Sequence, residues 1–305
     1  MQAQLTRAQI DRWIAGPTFE DRVLTIFSIV GRKLCSDEAA LIWQQLLVRT
    51  IEHLPEDLGE LLVRQLIALA PEQARSQQLF QALMTSRRQG CTKPALIFMI
   101  TSCRRYLDKA LALHAALSGR GAHAQIVIGD PGVRVASHNG PVSTLPVSDA
   151  YEALTYKVLE GLTHLCQRFG PVAIAKTDDD VELASDFDAD RLAGMAAQHQ
   201  YTGHPWGRVC DRCWHLGKTT APTPIYSRQM KSLFAYGPLY LLGSRAVEHL
   251  VRQWVMYPGD AQGRIYEDRA IGEMLADANI PLHPQSIAQL GGIVAETERF
   301  TSQPF

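Results

Sequence analysis

Three consecutive aspartates, Asp178, Asp179 and Asp180, are the residues of this sequence best suited to chemistry. They follow Lys176 and an apolar run over 172–175 that is typical of a buried strand. Neighbouring negative charges raise one another's pKa unless a cation offsets them, so a folded protein seldom keeps three together without a use. Carboxylate oxygens favour Mg²⁺ or Mn²⁺ over Zn²⁺. The run therefore predicts a divalent-cation site, and an acidic loop that only solvates its surface is the alternative.

The elements that position these aspartates follow a change of pattern at Lys93-Pro94, after which strand and helix patterns alternate. Strands are predicted over 95–101 and 124–129, and helices over 105–117 and 149–168. This alternation predicts an α/β domain with a mainly parallel sheet covered by helices, in which ligands bind at the carboxyl ends of the strands. No GxGxxG or P-loop motif is present, so neither a dinucleotide fingerprint nor a phosphate-binding loop is indicated.

The first 90 residues carry apolar residues at helical spacing and no titratable cluster. Helices are predicted to begin near Thr18, Ser36, Pro55 and Pro71. Packing or partner binding is therefore favoured over chemistry in this segment. The sequence predicts two domains, an all-α domain over 1–90 and an α/β domain over 91–305.

Length and charge restrict the classes of partner. The 305 residues suffice for about two domains and a large core. A formal net charge of −1 without a long basic block argues against a nucleic-acid or anionic-membrane surface. The apolar run over 96–100 is too short to span a bilayer. The first residues lack the basic start and apolar stretch of a secretory signal, which predicts a cytoplasmic protein.

Six cysteines are scattered through the chain, which predicts reduced thiols rather than a disulfide framework. Cys210 and Cys213 have the spacing of a metal or redox pair, and His215 lies close to them. A second pair that would complete four zinc ligands is missing, so the sequence leaves metal binding by these cysteines open.

Five short blocks follow one another in order between about Ala95 and Gln285. They are Asp149–Lys157, Lys176–Val181, Tyr201–Gly203, Tyr236–Leu242 and Glu267–Gly272. Together they resemble the β-1,3-galactosyltransferase and Fringe family of inverting glycosyltransferases, in which the first, second, fourth and fifth blocks read D-S-Y-x-N-L-T-x-K, K-x-D-D-D-V, Y-x-x-G-G-G-Y and E-D-V-x-x-G. The chain departs from the family at Pro238 and Leu239, which replace glycines that let the backbone approach the ligand. The membrane anchor and luminal cysteines of the animal enzymes are absent, which fits a bacterial, cytoplasmic member.

The resemblance implies a glycosyltransferase A-type domain that binds a UDP-sugar and Mn²⁺ or Mg²⁺. A cation that bridges the phosphates stabilises the leaving group as a Lewis acid. By resemblance, Asp180 binds the metal directly, while Asp178 and Asp179 hold its shell, the ribose or the sugar. His283 corresponds to a metal-binding histidine of the family, and the alternative is a packed or surface histidine.

On the acceptor side, inverting transfer needs a carboxylate that removes the proton of the attacking hydroxyl. Asp268, at the start of a predicted helix over 267–278, matches the family's base. A helix start depresses a carboxylate pKa, so burial must compensate if Asp268 is to accept a proton near neutral pH. For Glu267, acceptor binding and a plain role at the helix N-terminus are both open.

Further candidates surround these carboxylates. Trp206, Tyr236 and Tyr240 are candidates for stacking on sugar faces, and core filling is the simpler account of Tyr240. Gly237 retains a glycine of the family's block and is a candidate for close contact with the sugar. Lys157 and Arg105 are candidates for contacting a phosphate, although both belong to amphipathic helices, where a solvated position is the alternative.

The predicted function is metal-dependent, inverting transfer of a hexose of the galactose or N-acetylglucosamine type from a UDP-sugar. The acceptor is a hydroxyl of a soluble or lipid-linked saccharide, the latter bringing the protein to the inner face of the cytoplasmic membrane. A β-1,3 linkage is implied by the resemblance alone. Two alternatives stay open, namely a metal-dependent phosphohydrolase and a non-catalytic protein that binds a nucleotide sugar or a protein partner.

Overall fold

The computed structural model describes residues 56–69, 71–85, 93–206 and 232–294. The helices predicted to begin near Thr18 and Ser36 lie outside the described residues, as do Cys210, Cys213 and the last eleven residues. The all-α domain and its boundary near residue 90 therefore stay predictions. Cys103 is a free cysteine.

An eight-stranded, mostly parallel mixed sheet forms the centre of the described part of the chain. Its strands are β1 (Leu96–Thr101), β2 (His123–Gly129), β3 (Ser137–Asn139), β4 (Val142–Leu145), β5 (Ala173–Asp178), β7 (Tyr201–Trp206), β8 (Phe234–Leu242) and β9 (His283–Pro284). They lie side by side in the order β3-β4-β2-β1-β5-β8-β7-β9. A separate antiparallel pair joins β6 (Val181–Leu183) to β10 (Gly292–Val294).

Helices cover both faces of the sheet. They are α1 (Glu56–Leu69), α2 (Ala74–Thr85), α3 (Leu107–Gly119), α4 (Leu154–Phe169), α5 (Ala189–Gln198), α6 (Ser244–Met256) and α7 (Glu267–Asp277). One core lies between the sheet and α3 and α5, and the other lies between the sheet and α1, α2, α4, α6 and α7. The predicted α/β class and the predicted alternation of strands and helices are confirmed.

The sheet is less uniform than the predicted, mainly parallel one, because β8 runs antiparallel to both of its neighbours, β5 and β7. Strand direction is not encoded in local apolarity, since a buried run such as Leu239–Leu242 has the same pattern in either direction. Strands β4, β2, β1 and β5 run parallel to one another, and β9 runs parallel to β7.

The order of these strands reverses at β1. The chain adds β2 and then β4 on one side of β1, and afterwards crosses to add β5 on the other side. Ligands of α/β sheets bind outside the carboxyl ends of strands at such a switch point. Thr101, the last residue of β1, is in register with Asp178, the last residue of β5. The fold therefore places the first aspartate of the acidic run at the topological switch.

Helices α1 and α2 pack against the α/β part and belong to the same compact unit, 55–305. A buried polar network joins them to it. The Arg64 guanidinium donates to Glu160 on α4 at 2.8 Å, and the Trp254 indole N–H of α6 donates to the same carboxylate at 2.8 Å. Within the described ranges, no helix combines the length and the apolar composition that a membrane crossing requires.

Candidate functional site

The acidic run leaves β5 at the switch point and enters a tight turn before β6. Asp178 ends β5, and Asp179 and Asp180 form the turn. Ser102, directly after β1, donates its hydroxyl proton to a carboxylate oxygen of Asp179. The protein atoms that surround both carboxylates, and then the charge of Asp178, raise the pKa of Asp179 and Asp180 above the usual range, although Asp180 keeps an exposed surface. The turn is therefore held against β1 with more negative charge than its surroundings balance.

Lys176 lies fully buried under this turn, on the face of β5 that carries α4, α6 and α7. Its ammonium donates to a carboxylate oxygen of Asp178 at 2.6 Å and to the carbonyl oxygen of Gly237 on β8 at 2.6 Å. A carboxylate oxygen of Glu267 lies 3.4 Å from the same ammonium. Burial lowers the pKa of Lys176, but Asp178 and Glu267 outweigh it, so the pKa rises and the side chain stays charged.

Glu267 and Asp268 begin α7 and lie against Gly237. The Tyr240 hydroxyl donates to Glu267, which is buried. A Cβ atom on Gly237 would lie 3.6 Å from Oδ2 of Asp268 and 3.8 Å from Oε2 of Glu267. The structure thus brings together the two carboxylate groups that the sequence predicts, the acidic run and the Glu-Asp pair, on either side of Lys176 and Gly237.

Asp268 has the electrostatics of a group that exchanges a proton near neutral pH. Burial, and after it the neighbouring charge of Glu267, raise its pKa to about 7. Its side chain stays partly exposed, although protein surrounds it closely, and its Oδ1 accepts from the backbone N–H of Arg269 at 2.7 Å. The expected compensation of the helix start by burial is therefore present. Such a carboxylate can take a proton from a ligand hydroxyl at pH 7.

The carboxylates of the acidic turn could hold a divalent cation. Among the described residues, no three His, Cys, Asp or Glu side chains already converge on a common point. Asp180 is exposed, and no side chain of the described ranges donates to its carboxylate. Mg²⁺ is commonly held by one or two carboxylates together with phosphates and water. Asp180 and the remaining oxygens of Asp178 and Asp179 fit that donor set.

His283 is not brought to the aspartates. It lies on β9, the third strand from β5, which corresponds to roughly 14 Å across the sheet at about 4.8 Å per strand. Its ring stacks on that of His199, with 3.6 Å between centroids, and its Nε2 lies 3.2 Å from the side-chain nitrogen of Gln285. Strands β8 and β7 intervene, so the predicted ligation of one metal by His283 and Asp180 does not fit this arrangement.

The two basic candidates have different surroundings. Lys157 is buried and donates to Asp149 at 2.6 Å and to the carbonyl oxygen of Ser102 at 2.8 Å. Asp149 in turn accepts from the backbone N–H of Gly129, so this lysine joins the carboxyl ends of β1 and β2. Arg105 is exposed, with its guanidinium 5.3 Å from the ring centroid of Tyr106. Lys157 thus supports the strand ends, whereas Arg105 stays accessible at the same edge.

The aromatic candidates also divide into two groups. Tyr240 is fully buried, with its ring edge-on to Tyr201 at 6.1 Å, so it fills the core and orients Glu267. Trp206 and Tyr236 are half-buried neighbours with 5.2 Å between ring centroids. Because β7 runs parallel to β5, Trp206 ends its strand at the edge of the sheet where Asp178 lies. Trp206 and Tyr236 therefore remain candidates for contacting a sugar.

Sequence reasoning missed two residues of the site. Ser102 follows β1, and the predicted sheet would have placed it beside the acidic run, because neighbouring parallel strands end at one edge. Lys176 belongs to the motif that was recognised, but its contacts with Glu267 and Gly237 join residues about 60 to 90 positions apart, and no local pattern encodes them.

Gly272, five residues after Glu267, allows α7 to approach β8 closely. A Cβ atom on Gly272 would lie 2.4 Å from Cβ of Phe234, closer than real side chains pack. Since Phe234 belongs to the strand that carries Gly237, this contact fixes the distance between the start of α7 and the site. The close packing of α7 on β8, which sets the position of Asp268, therefore requires glycine at position 272.

We expect Gly272→Ala to lower the free energy of unfolding by about 2 kcal/mol, because the added methyl group overpacks the contact with Phe234. Chemical denaturation measures this change. Gly194→Ala on α5 is the matched control, since a Cβ there meets nothing within 4 Å. It should stabilise the protein by about 0.5–1 kcal/mol through the helix propensity of alanine. Equal effects of both substitutions would contradict the close approach of α7.

Comparison with known proteins adds no assignment, since no protein-family model and no curated protein matches this chain. The interpretation of the site therefore depends on its own geometry and on the motifs of the sequence.

Proposed function

We propose that the chain is a metal-dependent inverting glycosyltransferase with a glycosyltransferase A-type domain. It transfers a hexose of the galactose or N-acetylglucosamine type from a UDP-sugar to a saccharide hydroxyl. One observation carries the proposal: the acidic run and a carboxylate with a pKa of about 7 lie on either side of Lys176 and Gly237. A β-1,3 linkage follows from the motif resemblance alone.

The donor is expected at the carboxyl ends of β1, β2 and β5, where the strand order reverses. Asp180, with oxygens of Asp178 and Asp179, would hold Mn²⁺ or Mg²⁺. When bound, that ion supplies Lewis-acid stabilisation of the departing diphosphate. Ser102 keeps Asp179 against β1, and Lys176 occupies one oxygen of Asp178. The turn therefore presents its other oxygens to the ligand.

The acceptor is expected on the side of α7. Asp268 would remove the proton of the acceptor hydroxyl as that oxygen forms a bond to the anomeric carbon. The bond between the anomeric carbon and the diphosphate oxygen breaks, UDP leaves with the electron pair, and the configuration inverts. A pKa of about 7 leaves a substantial fraction of Asp268 ionised at neutral pH and makes it a better base than an ordinary carboxylate.

The acceptor class is a soluble or lipid-linked saccharide. Trp206 lies at the edge of the sheet where Asp178 lies, and Tyr236 precedes Gly237, which lies against Asp268. The two rings are neighbours and offer aromatic faces on which sugar rings can stack. A cytoplasmic location, with contact to the inner membrane face for a lipid-linked acceptor, belongs to the same proposal and rests on the sequence.

Calorimetric titration of the protein with UDP-galactose and UDP-N-acetylglucosamine, with and without Mn²⁺, tests this function. We expect binding that depends on Mn²⁺, and release of UDP when saccharide acceptors are added. Release of inorganic phosphate from phosphate esters, without need of a sugar donor, would identify a phosphohydrolase instead. Binding without turnover across a broad panel of acceptors would favour a non-catalytic binding protein.

A further inference from the structure

Lys176 makes contacts to three elements of the candidate site at once. Its ammonium carries three protons, and three acceptors surround it: Asp178 at 2.6 Å, the Gly237 carbonyl oxygen at 2.6 Å and Glu267 at 3.4 Å. These acceptors belong to β5, β8 and the start of α7. The side chain is completely buried, so water does not compete for these protons.

We infer that Lys176 is a positioning residue that ties the donor-side carboxylate of Asp178 to the acceptor-side pair Glu267 and Asp268. This inference rests on the proposed function, because donor and acceptor sides are defined by it. Through Glu267, the ammonium sets where α7 begins, and hence where Asp268 stands relative to the acidic turn. Lys176 is completely buried and its protons face three acceptors of the protein, so it acts through its neighbours.

The chemistry of the contact requires a buried cation. A neutral side chain at 176 would leave the buried carboxylate of Glu267 and the partly exposed carboxylate of Asp178 without the cation that they share. Removing one partner of a buried ion pair is strongly unfavourable. The planar guanidinium of arginine is larger and does not match three acceptors from three directions. Lysine is thus the residue that satisfies this arrangement.

The charged groups that face Asp268 are Glu267, Lys176 and Asp178, and their effects oppose one another. Glu267 and Asp178 raise the pKa of Asp268, whereas Lys176 lowers it. A variant that breaks the Lys176 contacts should therefore change the titration of Asp268 as well as the protein's stability. A lysine with a purely structural role would change stability alone.

The test measures the pKa of Asp268 without any substrate. The unfolding free energy of a parent protein and of its Asp268→Asn derivative is compared from pH 4 to pH 9, and the difference reports the titration of Asp268. With Lys176→Met as the parent, we expect this pKa to rise by about one unit. An unchanged pKa would overturn the inference.

Lys157→Met is the matched control. Lys157 is also buried, donates to a carboxylate at 2.6 Å and contacts a backbone carbonyl oxygen at 2.8 Å, but its partners are Asp149 and Ser102. It should destabilise the protein and leave the pKa of Asp268 in place. Equal shifts with both lysine variants would show a general effect of a lost buried cation and would overturn the inference.

Glu267→Gln keeps the inference testable if Lys176→Met does not fold. It removes one partner of Lys176 and retains a side chain that can accept from Tyr240. We expect the pKa of Asp268 to fall by about one unit, since the adjacent negative charge is gone. We also expect kcat to fall about tenfold or more, with the KM for the UDP-sugar within about twofold. An unmoved pKa together with unchanged kcat would refute the positioning role.

Turnover of a nucleotide sugar and the pKa of Asp268 are measured independently, so they distinguish a failure of this inference from a failure of the proposed function. If the wild-type protein turns over no nucleotide sugar while the pKa of Asp268 shifts as expected, the proposed function is refuted and the coupling by Lys176 stands. If turnover occurs but Lys176→Met leaves both the pKa of Asp268 and kcat unchanged, the inference alone is refuted.

Discussion

Replacement of Asp268 by asparagine is expected to lower kcat by about 10³-fold while the dissociation constant of UDP with Mn²⁺ stays within about twofold. The amide cannot accept the hydroxyl proton, but it has nearly the same shape, and the acidic turn that would hold the donor is separate from it. Steady-state kinetics and calorimetry measure the two quantities. Turnover retained within tenfold would exclude Asp268 as the base.

Asp190→Asn is the matched control for this substitution. Asp190 is also the second residue of a helix, α5, but it is exposed. We expect it to leave kcat unchanged. A loss of activity that Asp190→Asn shares would indicate a general effect of removing a carboxylate from a helix start.

The same Asp268→Asn substitution should stabilise the protein at alkaline pH. The pKa of Asp268 is about 7 in the folded state, above the usual 3.8, so ionisation of Asp268 destabilises the folded state. This destabilisation is absent below pH 4 and grows as the pH rises to about 7. Asparagine does not ionise and therefore removes this destabilisation. We expect a gain on the order of 2 kcal/mol in unfolding free energy at pH 8 and little at pH 4. A gain independent of pH would contradict the raised pKa.

Much of the scaffold of the site was predictable because it depends on local pattern and a general topological rule. The alternation of strands and helices after Lys93 predicted the parallel strands β1, β2 and β5, and the acidic run was expected at the carboxyl end of β5. Parallel neighbours end at one edge, which is why Ser102 and Asp179 meet. The helix start at Glu267 was also correctly predicted.

The features of the site that could not be predicted depend on contacts between residues far apart in the sequence. The insertion of β8 and β7 between β5 and β9 separates His283 from the aspartates, and strand order is not readable from the two-residue strand that carries this histidine. The burial of Lys157 against Asp149 was likewise hidden, since an amphipathic helix has the same pattern whichever face its lysine takes. Tyr240 was predicted as a core residue by its apolar neighbours, but its hydroxyl contact with Glu267 joins two distant segments.

Pro238 and Leu239 stand where the family that the sequence resembles has glycines, and the structure shows where the leucine packs. Leu239 is buried in the core between the sheet and α3 and α5, so its side chain points away from Lys176. Gly237 is retained where Asp268 and Glu267 lie against β8. The glycine that the site's geometry uses is thus present, and the substitution at 239 enlarges the core instead of filling the space beside Asp268.

Replacement of Asp180 by asparagine is expected to weaken Mn²⁺-dependent binding of UDP by about 100-fold and to leave binding without metal unchanged. Asp180 is the most exposed carboxylate of the turn, and no side chain in the described ranges occupies it, so its oxygens are available to an ion. A lost carboxylate ligand reduces the affinity for a hard divalent cation directly. Calorimetric titration of UDP at several Mn²⁺ concentrations measures both values.

Glu182→Gln distinguishes a ligand from a general contribution of negative charge. Glu182 lies two residues beyond Asp180, is exposed, and belongs to β6, where it pairs with β10 rather than facing Lys176. Neutralising it removes the same charge from an exposed position close to the turn in sequence, where the high dielectric constant of water keeps the energy of charge–charge interactions small. We therefore expect less than a threefold change in UDP affinity with Glu182→Gln. If Asp180→Asn behaves like Glu182→Gln, the turn serves only to solvate the end of β5, and the cation must be sought elsewhere.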